Sequence, residues 1–238
     1  MKDRILRIFS KIKSFPYILL GHARPSYAQF GEDRILEYLF KSLNIDKPFY
    51  LEIGTNHPIK GNNTYFFYTQ GANGVLVEPD IYYHQIIKNK RSRDILVKEG
   101  VTFDETEKAD FYVFDLKYTG WNTFSTEEVE MREKQGIPYK KKVKVDLISI
   151  KKLLDKYCKG RSIDLLSLDV EGLDEMILKA YDFENYAPKI ICVEIIRFGE
   201  SSFKTKEEGI ISFLEDKGYE LYANTYVNGI FVHKNFNV

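Results

Sequence analysis

Carboxylates stand where short apolar runs of the chain give way to polar sequence: Glu52 in "FYLEIG", Glu78 and Asp80 in "GVLVEPD", Asp169 and Glu171 in "IDLLSLDVEG", and Glu194 in "KIICVEI". A carboxylate in such a place can accept both hydroxyls of a ribose, take a proton from a weak nucleophile, or hold a hard divalent cation. The neighbours narrow the choice. Gly54 follows Glu52 by two residues and lets the backbone approach a ligand closely. Glu78 ends the next apolar run, so the pair suits a nucleoside held across adjacent strand ends. A dinucleotide fingerprint would continue with further glycines, because a pyrophosphate needs bare backbone and a helix N-terminus aimed at it. Here Thr55, Asn56, His57 and Pro58 follow instead, and then Asn62, Asn63 and Thr64. These side chains suit an amino-acid ammonium and carboxylate better than a diphosphate. A nucleoside joined to an amino acid is S-adenosylmethionine.

The elements that must position these residues can be read from periodicity. Ile35, Leu36, Leu39, Phe40 and Leu43 recur at helical spacing ahead of the first strand. A helix is expected from about Asn62–Thr64 to Gly71, "IYYHQIIKNKR" reads as another, and "DILVKEGVTF" as a third strand. "ADFYVFD" and "VKVDLI" read as extra strands flanking a polar loop over 117–142. Ser149 is the expected cap of the helix "SIKKLLDKYC". "DEMILKAYDF" and residues 205–217 are helical, "KIICVEI" is a buried strand, and "YELYANTYVNGIFVHK" is a hairpin turning at Asn228-Gly229. Fully apolar strands alternating with helices predict a mostly parallel sheet covered on both faces, with the hairpin added antiparallel at its edge. Ligands of such sheets bind beyond the carboxyl ends of the strands, where the strand order reverses.

Four blocks in order, "SYAQFGEDRIL", "LEIGTNHP" with "GNNTYFFY", "GVLVEPD" and "IDLLSLDVEGLDEMIL", resemble the FkbM-type methyltransferases of the class I S-adenosylmethionine-dependent superfamily. The resemblance spans about residues 26–196. It implies a Rossmann-like seven-stranded α/β sheet with an antiparallel last strand, and methyl transfer to an oxygen, usually of a sugar or polyketide-like hydroxyl. Carried onto this sequence, it places Glu52, Gly54 and Asn56 along the methionine side of the cofactor. Asn63 and Thr64 reach its carboxylate, Glu78 holds the ribose with Asp80 close by, and Gly100 and Val101 border the adenine. Gln29 and Asp33 close over it from the N-terminal side. Asn56 stands where the commonest superfamily pattern has a second glycine.

The cofactor of such an enzyme carries an activated methyl group, so the protein mainly aligns donor and acceptor. A sugar hydroxyl is a poor nucleophile and gains from a general base. Asp169 is the favoured base or aligning group, with Glu171 and His57 as further catalytic candidates. Glu171 can equally serve as a helix-start carboxylate, and His57 as a turn residue bonded to backbone. Asp169, Glu171 and Glu194 offer oxygen ligands for magnesium, but no metal is assigned. Trp121, Tyr118, Phe124 and Tyr139 in the 117–142 loop either stack on sugar rings or pack as a lid. The rival functions are an NAD-dependent nucleotide-sugar oxidoreductase, which would want the missing glycines, and a non-catalytic scaffold of the same fold.

Lys plus Arg and Asp plus Glu both number 35, which argues against a chain-wide nucleic-acid footprint. Cys158 and Cys192 are far apart and form no CxxC pair, so a cytoplasmic enzyme is expected. Residues 1–25 form a basic amphipathic segment ahead of one domain over 26–238. Ile5, Leu6, Ile8, Phe9 and Ile12 alternate with Lys2, Arg4, Arg7, Lys11 and Lys13. Residues 1–20 are too charged for a signal peptide or a spanning helix. They suit a homodimer contact or the anionic inner membrane surface. The acceptor is expected to be a small molecule or glycan.

Overall fold

Successive side chains of the central strands turn to opposite faces of one sheet. Tyr50, Leu76, Leu165, Ile190 and Cys192 pack on one side, and Leu51, Val75, Leu166, Ile191 and Val193 on the other. Both faces are therefore apolar, and both are covered. The structure is a computed structural model. It describes residue 20, residues 23–195 and residues 204–236, excepting the side chains of 204–208. The expected N-terminal basic segment over 1–20 falls, but for Leu20, outside the described residues.

The strands are β1 (Phe49–Ile53), β2 (Asn73–Val77), β3 (Ile95–Val97), β4 (Gly100–Thr102), β5 (Lys108–Val113), β6 (Lys141–Ser149), β7 (Leu165–Leu168), β8 (Ile190–Glu194), β9 (Tyr219–Asn224) and β10 (Asn228–His233). The main sheet has seven strands in the order β3-β2-β1-β7-β8-β10-β9. β3, β2, β1, β7 and β8 pair in parallel, and β10 runs antiparallel between β8 and β9. The helices are α1 (Glu32–Ser42), α2 (Tyr65–Thr69), α3 (Ile81–Lys90), α4 (Thr126–Lys134), α5 (Ile150–Tyr157), α6 (Asp174–Ala180), α7 (Phe183–Tyr186) and α8 (Lys204–Asp216). Leu36, Leu39 and Phe40 of α1, Phe67 of α2 and Ile87 of α3 cover one face. Leu153 and Leu154 of α5, Ile177 and Leu178 of α6, and Ile210 and Leu214 of α8 cover the other. The sheet is thus the expected α/β arrangement, mostly parallel with an antiparallel C-terminal hairpin.

Local expectations needed correction in several places. The single strand expected over "DILVKEGVTF" is two: β3 joins the main sheet, while β4 pairs with β6 in a separate three-stranded sheet ordered β4-β6-β5. Gly100 makes that departure feasible, since a Cβ there would lie 2.4 Å from Phe124 and 2.8 Å from Leu147. The hairpin turns at Thr225–Val227, with Tyr226 at φ 77°, rather than at Asn228-Gly229. Gly229 sits inside β10 because a Cβ would meet Phe231 at 2.7 Å. Close packing, not a turn, is the reason for that glycine. The segment read as a 117–142 loop contains a 3-10 helix, Leu116–Trp121, and α4. Ser149 does stand at the N-cap of α5, but its side chain makes no capping bond and its hydroxyl is buried without a partner.

The strand order reverses between β1 and β7, and there Gly54 sets the spacing. Its φ is +86°, and a Cβ would fall 1.7 Å from the carbonyl oxygen of Asp169. The Asp169 amide in turn donates to Ile53 O at 3.0 Å. Gly54→Ala should therefore cost at least about 1–2 kcal/mol from left-handed backbone alone, with the clash added. Urea unfolding will show it as a lowered midpoint at unchanged slope; wild-type stability would mean the two strand ends do not meet this way.

Candidate active site

The carboxyl ends of β1, β2, β7 and β8 open into a cavity of about 770 Å³, within the size range of cofactor sites. Of the residues singled out from sequence, Gln29, Glu52, Gly54, Asn56, His57, Asn63, Glu78, Gly100, Val101, Asp169, Glu171 and Glu194 line it. Asp33, Thr64 and Asp80 do not. All three are buried behind the wall, where they hold the lining residues in place.

Each of these three has a visible structural task. Asp33 accepts hydrogen bonds from Ser26 Oγ (2.6 Å) and the Tyr27 amide (2.7 Å). It fixes the strap that brings Gln29 and Phe30 to the cavity. Its neighbour Glu32 accepts from Thr225 Oγ1 and Asn228 Nδ2 and ties the same strap to the C-terminal hairpin. Thr64 donates to Glu52 Oε2 at 3.0 Å. Asp80 accepts from the Tyr82 amide at the start of α3 and from Asn122 Nδ2 at 3.1 Å, so it anchors the 3-10 segment to the β2 end.

Glu78 is buried and still addresses the cavity. Its carboxylate accepts from the Asn56 amide (2.5 Å) and the Asp80 amide (2.7 Å). Burial nevertheless pushes its pKa up to about 8, because a charged carboxylate loses more hydration there than two amides return. His57 is fixed by its own turn. Its Nδ1 accepts from the amides of Ile59 and Lys60, each at 3.1 Å, so the neutral ring carries its proton on Nε2. Burial also lowers its pKa. His57 therefore offers the cavity a donor, not the base that its position suggested.

The turn after β7 is built with care for its backbone. Glu171 has φ 52° and Gly172 φ 103°. Asp174 accepts from the amides of Val170 (3.1 Å) and Gly172 (3.3 Å), and Thr123 Oγ1 donates to Glu171 O at 2.8 Å. Glu171 is not a helix-start residue but a wall residue. Burial, together with Glu194 and Asp169, holds its pKa well above the usual carboxylate range, and Arg132 opposes that. The Arg132 guanidinium lies 3.6 Å from Glu171 Oε2 and 3.8 Å from Glu128 Oε2. Among the described residues, no group of three or more His, Cys, Asp or Glu side chains has a metal-holding arrangement.

The segment between β5 and β6 closes the other side. Leu116, Thr119, Gly120, Trp121, Asn122 and Phe124 line the cavity. Tyr118 stacks on Trp121 with centroids 4.6 Å apart, and the Arg132 guanidinium lies 4.4 Å over the same indole. These partners make Trp121 part of a packed lid rather than an open sugar platform. Tyr139 packs edge-on against Tyr112 and does not line the cavity. Phe124, 4.6 Å from Phe111, gives an apolar wall beside Val101. Sequence reasoning missed Arg91, Arg132, Asp174 and Phe111. Arg91 and Arg132 reach the site through partners distant in the chain, Thr64 and Glu171, and Phe111 through Phe124, while Asp174 holds its own turn through the Val170 and Gly172 amides; no motif spacing marks any of the four.

The lining fits S-adenosylmethionine. Its charged side chains are the carboxylates Glu52, Glu78, Asp169, Glu171 and Glu194, with Lys60 the one lysine or arginine among the described lining residues. Such a wall favours a ligand bearing sulfonium and ammonium charges and disfavours a pyrophosphate. Val101, Phe111 and Phe124 line the same cavity and give it an apolar part of the kind a base could pack on.

A parallel sheet with its last strand reversed, and a carboxylate ending the second strand beside the switch point, defines a class I methyltransferase-like fold. The methyltransferase FkbM domain family matches residues 52–221, and the chain belongs to that family; it is an S-adenosylmethionine-dependent methyltransferase. The match leaves out the "SYAQFGEDRIL" block and continues beyond residue 196 through α8 into β9. A crystal structure of a TehB-like SAM-dependent methyltransferase from Corynebacterium glutamicum ATCC 13032 Kitasato is similar at a TM-score of 0.44 and 11% identity, covering 96% of this chain and 100% of that one. No curated protein matches the chain.

Glu78 supplies a pH signature. Its folded pKa of about 8 stands above the ordinary 4.5, so the ligand-free fold should lose stability as pH rises from about 4.5 through about 8. Glu78→Gln should flatten that slope in urea titrations. Hydroxyl donors favour the ionised form, so binding of S-adenosylhomocysteine near pH 7 should release protons. Calorimetry in buffers of different ionisation enthalpy measures that release. Proton uptake, or none, would count against ribose hydroxyls at Glu78.

Proposed function

We propose that the enzyme methylates a hydroxyl oxygen of a sugar, carried by a nucleotide sugar or by a surface polysaccharide or other glycan. The observation that carries this reading is the set of carboxylates, Asp169, Glu171 and Glu194, lining one cavity at the ends of β7 and β8. Bound S-adenosylmethionine supplies a methyl group already activated on sulfur. The side chains then have to hold the cofactor, align an acceptor and take its proton. Glu52 and Asn63 stand at the methionine end, Glu78 at the ribose, and Val101 with Phe124 at the adenine. Asp169 accepts the acceptor proton or aligns its hydroxyl, and Glu171, held by Arg132, stands beside it. An acid-rich wall suits a hydroxyl acceptor because a carboxylate both binds the O–H and removes its proton. In the same reading the protein acts in the cytoplasm, and the basic residues 1–20 meet the inner membrane surface or a second copy of the chain.

Labelled S-adenosylmethionine incubated with a panel of nucleotide sugars and glycans tests the acceptor class. Asp169→Asn should lower transfer by about 10²–10⁴-fold while leaving the affinity for S-adenosylhomocysteine near that of the parent. A variant that transfers methyl at the parental rate would remove Asp169 from the chemistry. Thermal stabilisation by NAD but not by S-adenosylhomocysteine would overturn the cofactor assignment altogether.

A further inference from the structure

Arg91 is the largest fully buried side chain among the described residues and is 1% exposed. It follows α3, on the far side of the cavity wall. Its Nε pairs with Asp94 Oδ2 at 2.7 Å, which already balances its charge. The other guanidinium nitrogens run toward the cavity along two relays. Nη1 donates to Asn62 Oδ1 (3.1 Å), and Asn62 Nδ2 donates to Glu52 Oε2 (3.1 Å). Nη2 donates to Thr64 Oγ1 (2.8 Å), and Thr64 Oγ1 donates to the same Glu52 Oε2 (3.0 Å). Both relays end on one carboxylate oxygen. Among the described residues no hydrogen bond reaches Oε1, and Glu52 lines the cavity. A cation needed only to fill the core would not require a second, cavity-facing carboxylate at the end of two relays.

We infer that Arg91 is a positioning residue for the cationic end of the bound nucleoside. Through Asn62 and Thr64 it favours the ionised form of Glu52 and orients it, so that one oxygen accepts from an ammonium group. The inference rests on the S-adenosylmethionine reading of the cavity. The groups facing Glu52 divide cleanly. Asp94 and Glu78 oppose its charge, and the thiol of Cys192 lies near it on β8. Arg91, Asn62 and Thr64 favour the charge. Burial outweighs them and brings the Glu52 pKa up to about 7, so loss of either relay should leave the carboxyl protonated at neutral pH.

Two probes separate this from a structural role: S-adenosylhomocysteine, and 5′-methylthioadenosine, which keeps the nucleoside but lacks the amino-acid end. Their affinities are measured by calorimetry between pH 6 and 8.5 for the parent, Thr64→Val and Arg91→Lys. Glu78 acts on both ligands alike, so the ratio of the two affinities isolates Glu52. In the parent, that ratio should rise with pH through the ionisation of Glu52. Thr64→Val, which keeps the side-chain shape, should weaken S-adenosylhomocysteine roughly tenfold at pH 7, move the midpoint of the ratio to higher pH, and leave methylthioadenosine unchanged. Arg91→Lys should do the same, and Thr64→Val decides alone if the lysine variant does not fold. Equal weakening of both ligands, or an unchanged ratio, overturns the inference. If the parent binds neither ligand, the cofactor reading falls with it.

Discussion

The contact between Gly54 and the Asp169 carbonyl is the constraint on which the site depends. It brings the ends of β1 and β7 together where the order of the parallel strands reverses. Any side chain at Gly54 would hold those ends apart. Because the strands are in parallel register, closing this point also sets Glu52 level with Ser167 on β7 and with Leu76 on β2. Glu78 and Asp169 then lie two residues further along the same face. The glycine expected to admit a ligand thus first admits the neighbouring strand, and the cavity forms as a consequence.

Gathering carboxylates in this way carries an electrostatic cost, and the fold meets it from two sides. Arg91 stands behind Glu52 and reaches it through Asn62 and Thr64. Arg132 stands beside Glu171, against Trp121. Neither guanidinium lines the cavity, so the wall stays acidic toward a ligand while its carboxylates retain positive partners. Burial still raises Glu52, Glu78 and Glu171 above ordinary carboxylate values. Glu52 and Glu78, brought up to about 7 and about 8, can change charge when a cationic or hydroxyl-bearing ligand meets them.

The segment between β5 and β6 joins these regions. Thr119 accepts from Tyr83 Oη at 2.6 Å, Asn122 donates to Asp80, and Thr123 donates to the Glu171 carbonyl. One insertion therefore touches the ends of both β2 and β7, and a displacement of it would reach both strand ends together.

The sequence by itself determined the sheet, its two apolar faces, and the carboxylates at its strand ends. Those features follow from short, fully apolar runs that alternate with helical periodicity and stop at carboxylates, all of which are local. It also placed Gly54 and Glu78 at the ends of adjacent strands, while the meeting of Gly54 with Asp169 follows from the β1–β7 pairing that only the structure shows. It did not place the hairpin turn, because Gly229 answers to Phe231 packing rather than to local turn chemistry. It also could not separate lining residues from supporting ones. Asp33, Thr64 and Asp80 have the same polar character as the residues that line the cavity, and only the tertiary structure shows them turned into the protein. Arg91 and Arg132 became legible only there as well. Each has an acid partner close in sequence, Asp94 and Glu128, but the contacts that tie them to the site, Thr64 for one and Glu171 for the other, lie tens of residues away in the chain.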